Sequence, residues 1–272
     1  MVKRILTTIV SIALLMPVLL LSHTALLPFA LATLTLFALF EIFRCMKVTK
    51  NLPLTIPLYA AGGLLPFVVR YLPKTSKISL GETALLLAIL LLLYLLALPV
   101  LTKNKTTCTD AGPAFLFALY ITLGFSGVVY LRDLDNPHIY LLILVGAWST
   151  DIFAYLFGIS LGRHKLIPEI SPKKTIEGSI GGGLAGAAAF VLTSYLIGIT
   201  YIGWGYIIAG GILVSLFAQT GDLAMSAVKR RYDIKDFGGV FPGHGGVLDR
   251  FDSVLSVSSV MTILFALINI LR

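Results

Sequence analysis

From Ile5 to Leu271 the chain is a succession of apolar stretches of about 20 residues, broken by short polar connections. That length crosses the hydrocarbon layer of a membrane as a helix, where every backbone N–H and C=O must be bonded within the protein. Spans are expected over residues 5–21, 25–43, 53–72, 80–101, 112–131, 139–161, 179–199, 203–224 and 253–271. Only 12% of the residues are charged and 57% are apolar, against roughly a quarter charged in soluble domains, so a water-soluble globule is excluded. The expected fold class is an all-α integral membrane protein of about nine transmembrane helices, with its polar site in the C-terminal half. The first stretch follows Lys3 and Arg4 as a signal peptide would. It is read as a helix because "LLSHTALLPF" has no small-x-small cleavage site and runs into the next apolar segment.

In such a chain the formal net charge of +8 belongs to cytoplasmic loops and anionic head groups, and nucleic acid is not expected as a partner. With the N-terminus inside, sixteen of the 21 Lys and Arg residues fall on the inner side, leaving Arg70, Lys74, Lys77, Arg132 and Arg272 outside. Two spans separate the polar loops 162–178 and 225–252, so both lie on one face and can build one site. Cys45 and Cys108 show no metal-ligand spacing and receive no role. Residues 1–140 read as hydrophobic helices for scaffold and lipid access, with Glu41 and Arg70 near span ends reaching the interface. Residues 141–272 read as the catalytic helices and cytosolic loops.

Three polar blocks carry the chemistry: "WSTDIFAYLFGISLGRHKLIPEISPKKTIEGSIGGG" (148–183), "QTGDLAMSAVKRRYDIKDFGG" (219–239) and "GHGGVLDRFDSVLS" (243–256). Asp151 lies well inside a span, where a carboxylate should face a wet cavity or a partner. Asp222, Ser226 and Lys229 share a helical face, as do Asp249 and Asp252 at i, i+3 with Ser253 and Ser256. Carboxylates at two helix ends suit Mg²⁺, which takes one or two of them and keeps its other positions for water and phosphate. Gly238, Gly239, Gly243, Gly245 and Gly246 allow a backbone concavity of the kind that holds anions. Lys229, Arg230, Lys235, His244 and Arg250 surround it. Lys173, Lys174 and Thr175 stand ahead of a helix N-terminus, a second favourable place for phosphate. Together these imply phosphoryl or nucleotidyl transfer on a lipid. Gly178, Gly182 and Gly186, four residues apart, read as a helix-packing seam.

The run Ser226–Asp252, "SAVKRRYDIKDFGGVFPGHGGVLDRFD", resembles the signature of the phosphatidate cytidylyltransferases, or CDP-diacylglycerol synthases. "DIFAYLFG" at Asp151 and "ISPKKTIEG" at 170–178 resemble that family's upstream motifs. The resemblance implies a multi-pass enzyme of a bacterial inner membrane, its active site facing the cytosol, that makes CDP-diacylglycerol and pyrophosphate from CTP and phosphatidic acid with Mg²⁺. A second cation and a homodimer are compatible with it. The expected catalytic residues are Asp222, Asp249, Lys229 and Arg250, and the expected metal ligands Asp222, Asp249 and Asp252. Substrate contacts are expected from Asp151, Lys173, Lys174, Thr175, Glu177, Ser226, Arg230, Lys235, Asp236, His244, Gly245 and Gly246. The alternatives are a CTP-dependent transferase acting on an isoprenoid or ether lipid and, from another class, a transporter. A transporter would more typically show broken helices in two matching halves, and no internal repeat is visible.

Overall fold

A computed structural model describes residues 2–75, 80–199, 201–243 and 245–271. Among these residues the chain forms nine helices: α1 (Val2–Leu20), α2 (Leu26–Cys45), α3 (Leu52–Thr75), α4 (Leu80–Leu101), α5 (Cys108–Arg132), α6 (Leu141–Ser160), α7 (Ile176–Leu196), α8 (Trp204–Arg231) and α9 (Leu248–Leu271). Among the described residues eight of them, α2 to α9, contain a stretch long and apolar enough to cross a membrane. The protein is an all-α, multi-pass integral membrane protein. One small hairpin, β1 (Lys165–Ile167) with β2 (Ser171–Thr175), interrupts the helices in the loop ahead of α7.

The chain divides into two compact units, Met1–Val129 with Asp236–Asp249, and Tyr130–Lys235 with Arg250–Arg272. The glycine-rich loop therefore belongs with the N-terminal helices. In that first unit the core lies along α2, where Leu39, Ile42 and Phe43 are fully buried. Phe43 meets Tyr59 of α3 edge to face, with ring centroids 5.2 Å apart, the arrangement that sets a positive ring edge on a negative face. Arg70 does not reach the interface as its position near a span end suggests. It is buried, and its guanidinium donates to the Ser22 carbonyl at 2.6 Å, since a cation kept from water must find an acceptor.

In the second unit α6 lies against α7 along the glycine seam. Gly178, Gly182 and Gly186 are all buried. A Cβ on Gly182 would stand 2.6 Å from the Ala154 nitrogen and 2.7 Å from its Cα, so only glycine admits this approach of the two backbones. Thr150 of α6 donates to the Ser215 hydroxyl of α8 at 3.2 Å, and Gln219 of α8 donates to the Ser179 carbonyl of α7 at 3.1 Å. Gly182→Val is expected to lower stability in detergent by about 1–3 kcal/mol, the usual cost of overpacking, seen as a lower thermal midpoint.

Helix α8 has 28 residues, about 42 Å at 1.5 Å per residue against a hydrocarbon layer of about 30 Å. It continues past the expected end at residue 224 to Arg231. Its last turns carry Ser226, Lys229, Arg230 and Arg231, with the three cations at the C-terminal end where the helix dipole favours positive charge.

Candidate active site

The second unit builds a cluster of acids from three helices. The hairpin pairs Lys165 with Thr175 and Ile167 with Ser171, and Thr175 then caps α7, its hydroxyl accepting from the Gly178 N–H at 3.1 Å. Side chains alternate along a strand, which separates two adjacent lysines. Lys173 is exposed, whereas Lys174 is half-buried and its Nζ lies 2.6 Å from Asp222 Oδ2. The other oxygen of Asp222 accepts from the Ser226 hydroxyl at 3.3 Å, the one-turn neighbour that helical spacing calls for.

Asp151 of α6 accepts from the Ser253 hydroxyl of α9 at 2.9 Å, and Asp252 Oδ1 accepts from the Ser253 N–H at 2.8 Å. Asp252 feels the charges of both Asp222 and Asp151, with Lys229 opposing them; Asp151 feels Asp222, with Lys174 opposing. Three mutually repelling carboxylates thus face two lysines, an arrangement that attracts further positive charge. The donors are hard oxygens, which suit Mg²⁺. Among the described residues no group of three or more His, Cys, Asp or Glu side chains is placed to hold a metal ion. Mg²⁺ does not need such a group, since one or two carboxylates with water and phosphate complete its shell. The donor set fits that ion.

Around the cluster, Arg230 Nε donates to the Ile170 carbonyl at 3.3 Å, joining the end of α8 to the turn of the hairpin. Glu177 in the first turn of α7 accepts from the Arg163 and His164 N–H groups at 3.0 and 3.2 Å, and lies 2.7 Å from the His164 ring. Its carboxylate thus holds the entry to the hairpin.

In the first unit the glycine-rich loop closes on itself. Gly243 and Gly245 adopt φ of +79° and +88°, conformations that L side chains rarely take, and the Phe241 N–H donates to the Gly245 carbonyl at 2.9 Å. Asp249 Oδ2 accepts from the Phe237 and Gly246 N–H groups at 2.8 and 2.9 Å. Glu41 of α2 takes the next two amides, Oε1 from Val247 and Oε2 from Leu248, both at 2.9 Å. Arg44, one turn along α2, donates to the Phe237 carbonyl at 2.6 Å. Of the five glycines that the sequence suggests for a bound phosphate, Gly246 gives its amide to Asp249, and the neighbouring amides of Phe237, Val247 and Leu248 are likewise engaged by the protein's own carboxylates.

A family model described as the cytidylyltransferase family matches residues 2–268. The chain belongs to this family. Among its relatives, the phosphatidate cytidylyltransferase of Bacillus subtilis (strain 168) is 38% identical, covering 84% of this chain and 94% of its own. The proteins of the same name from Staphylococcus haemolyticus (strain JCSC1435) and Staphylococcus aureus (strain COL) are 34% and 35% identical, each covering 96% of this chain and 97% of its own. The family match takes in the N-terminal helices as well as the C-terminal motifs on which the sequence resemblance rests.

Of the residues singled out in this family member, the second unit gathers Asp151, Lys174, Asp222, Ser226, Lys229 and Asp252, and links Arg230, Thr175 and Glu177 to the surrounding frame. Lys173, Lys235, Asp236 and Arg250 are exposed. Gly245, Gly246 and Asp249 belong to the first unit, and His244 lies outside the described residues. Glu41 and Arg44 were missed as partners of the loop, although a carboxylate amid the apolar residues of a span was itself a signal. Ser253 as the partner of Asp151 has no sequence signal, because 102 residues separate them.

Proposed function

We propose that this chain transfers the cytidylyl group of CTP to phosphatidic acid, giving CDP-diacylglycerol and pyrophosphate, on the cluster of Asp151, Asp222 and Asp252. The observation that carries the reading is the Lys174–Asp222 pair at 2.6 Å among carboxylates, in a chain whose relatives bear the name phosphatidate cytidylyltransferase. A lipid phosphate oxygen attacks the α-phosphorus of CTP while the bond to the β-phosphate oxygen breaks and pyrophosphate leaves. The nucleophile is already an anion and needs no strong base. The difficulty is charge, since two polyanions must meet. Lys174, Lys229 and Arg230 lower that repulsion by position alone. Mg²⁺ held by Asp222 and Asp252 would supply charge neutralisation at the phosphate oxygens. Asp249 is a further proposed cation ligand, and Arg250, Lys235, His244, Gly245 and Gly246 are proposed contacts to nucleotide or phosphate. The deciding assay incubates purified protein in detergent with labelled CTP, Mg²⁺ and phosphatidic acid, then separates the lipids. A labelled CDP-lipid is expected. A labelled product with an isoprenoid or ether lipid, and none with phosphatidic acid, would reassign the acceptor.

The site is proposed to face the cytosol from the inner membrane of a bacterium, and the chain to work as a dimer or alone. Single cysteines at Lys165 and Arg231, both exposed, in a background without Cys45 and Cys108, should resist impermeant thiol reagents in intact cells. Both should label once the membrane is opened. Labelling of either in intact cells would place that segment outside.

A further inference from the structure

The amides of the glycine-rich loop raise a question that the reaction leaves open. Val247 and Leu248 give their N–H groups to the two oxygens of Glu41, a side chain 1% exposed and located 206 residues earlier in the chain. Burying a carboxylate is costly unless it is fully hydrogen-bonded. Here the partners are the last residue before α9 and its first residue, where the helix's positive end favours a negative charge. One turn further along α2, Arg44 holds the other end of the loop by the Phe237 carbonyl. Asp249 ties the amides of Phe237 and Gly246 together from within. The loop is thus closed by two residues of α2 and by the carboxylate of α9 next to Arg250.

Two glycines record the same contact. A Cβ on Gly238 or on Gly246 would collide with the Glu41 carboxylate. Neither residue has the positive φ found at Gly243 and Gly245. Their lack of a side chain is explained by the approach of Glu41, not by backbone conformation.

We infer that Glu41, with Arg44, is a positioning residue for the reaction: it fixes Phe237, Val247 and the start of α9, and so the attitude of Asp249. This gives α2 a part in the chemistry, and it rests on the transferase reading proposed above. A Gln at 41 keeps the shape but turns an amide donor toward one of the two N–H donors, so one bond is lost and two donors face each other.

Glu41→Gln should lower kcat at least about tenfold, or 1.4 kcal/mol, and raise the Mg²⁺ concentration needed for half activity, leaving KM for phosphatidic acid within about twofold. Hydrogen exchange in detergent, which needs no turnover, should show the Val247 and Leu248 amides losing protection. The contact itself is tested by a double-mutant cycle. Gly246→Ala should impair wild type strongly but cost much less beside Glu41→Ala, where the clash is gone. If the wild-type protein makes no CDP-lipid, the transferase reading fails, and exchange and the stability arm of the cycle still decide whether Glu41 holds the loop. Wild-type kinetics in Glu41→Gln, unchanged exchange at Val247 and Leu248, or strictly additive effects in the cycle would each overturn the inference. A variant with a lower thermal midpoint but wild-type kcat and Mg²⁺ dependence per folded molecule would also overturn it, since that is what a merely structural residue does.

Discussion

Asp222→Asn is expected to cut turnover with CTP and phosphatidic acid at least about a thousandfold, near 4 kcal/mol of transition-state stabilisation, while the protein still inserts and purifies. Asp222 meets Lys174 through one oxygen and Ser226 through the other, and its charge acts on Asp151 and Asp252. Asparagine keeps the shape but removes the negative charge that a cation would bind. It also leaves Lys174 half-buried beside a neutral group. Initial rates across a Mg²⁺ titration check the claim, with the gel-filtration profile and thermal midpoint as folding controls. Turnover within a few-fold of wild type at saturating Mg²⁺ would remove Asp222 from the proposed ligands.

The second large effect separates Lys174 from its neighbour. Both lysines sit in "SPKKT", and charge counting treats them alike. Strand alternation does not: Lys174 pairs with Asp222 and Lys173 points to solvent. A lysine that serves only membrane orientation is a point charge that Arg replaces, whereas one fitted against a carboxylate and phosphate oxygens is poorly replaced by a planar guanidinium. Lys174→Arg should therefore lose at least about tenfold in kcat/KM and Lys174→Ala about a hundredfold, or 2.7 kcal/mol. The same changes at Lys173 should stay within about threefold. Separate titrations of CTP and phosphatidic acid will show which substrate's KM follows Lys174. Equal losses at both positions would mean that the hairpin acts as a diffuse basic patch. No loss at either would reduce it to a cytosolic anchor.

The helices were readable because their cause is local. An apolar run of about 20 residues has little choice in a membrane but to bond its backbone to itself, and each expected span overlaps one helix of the fold. Their ends were less readable. Helix α8 runs on to Arg231 because good helix formers such as Ala227, Lys229 and Arg230 continue the pattern beyond the apolar stretch. The hairpin at Lys165–Thr175 is short and polar, with too little alternation to announce itself.

At the site, the residue types and their short-range geometry were legible along the chain: Ser226 one turn from Asp222, Asp249 and Asp252 on one helix face, and glycines where the backbone turns sharply. These follow from helical periodicity and from the φ that Gly243 and Gly245 adopt. Which charges meet depends on the packing of distant segments. Lys174 reaches Asp222 because the hairpin folds toward α8, and Asp151 reaches Ser253 because α9 returns to α6. Glu41 lies beside Gly238 and Gly246 because the polar loop folds back onto α2. A carboxylate has no local preference for one distant amide over another. Its partner is set by which backbone the packed helices bring within 3 Å, and that is a property of the whole fold.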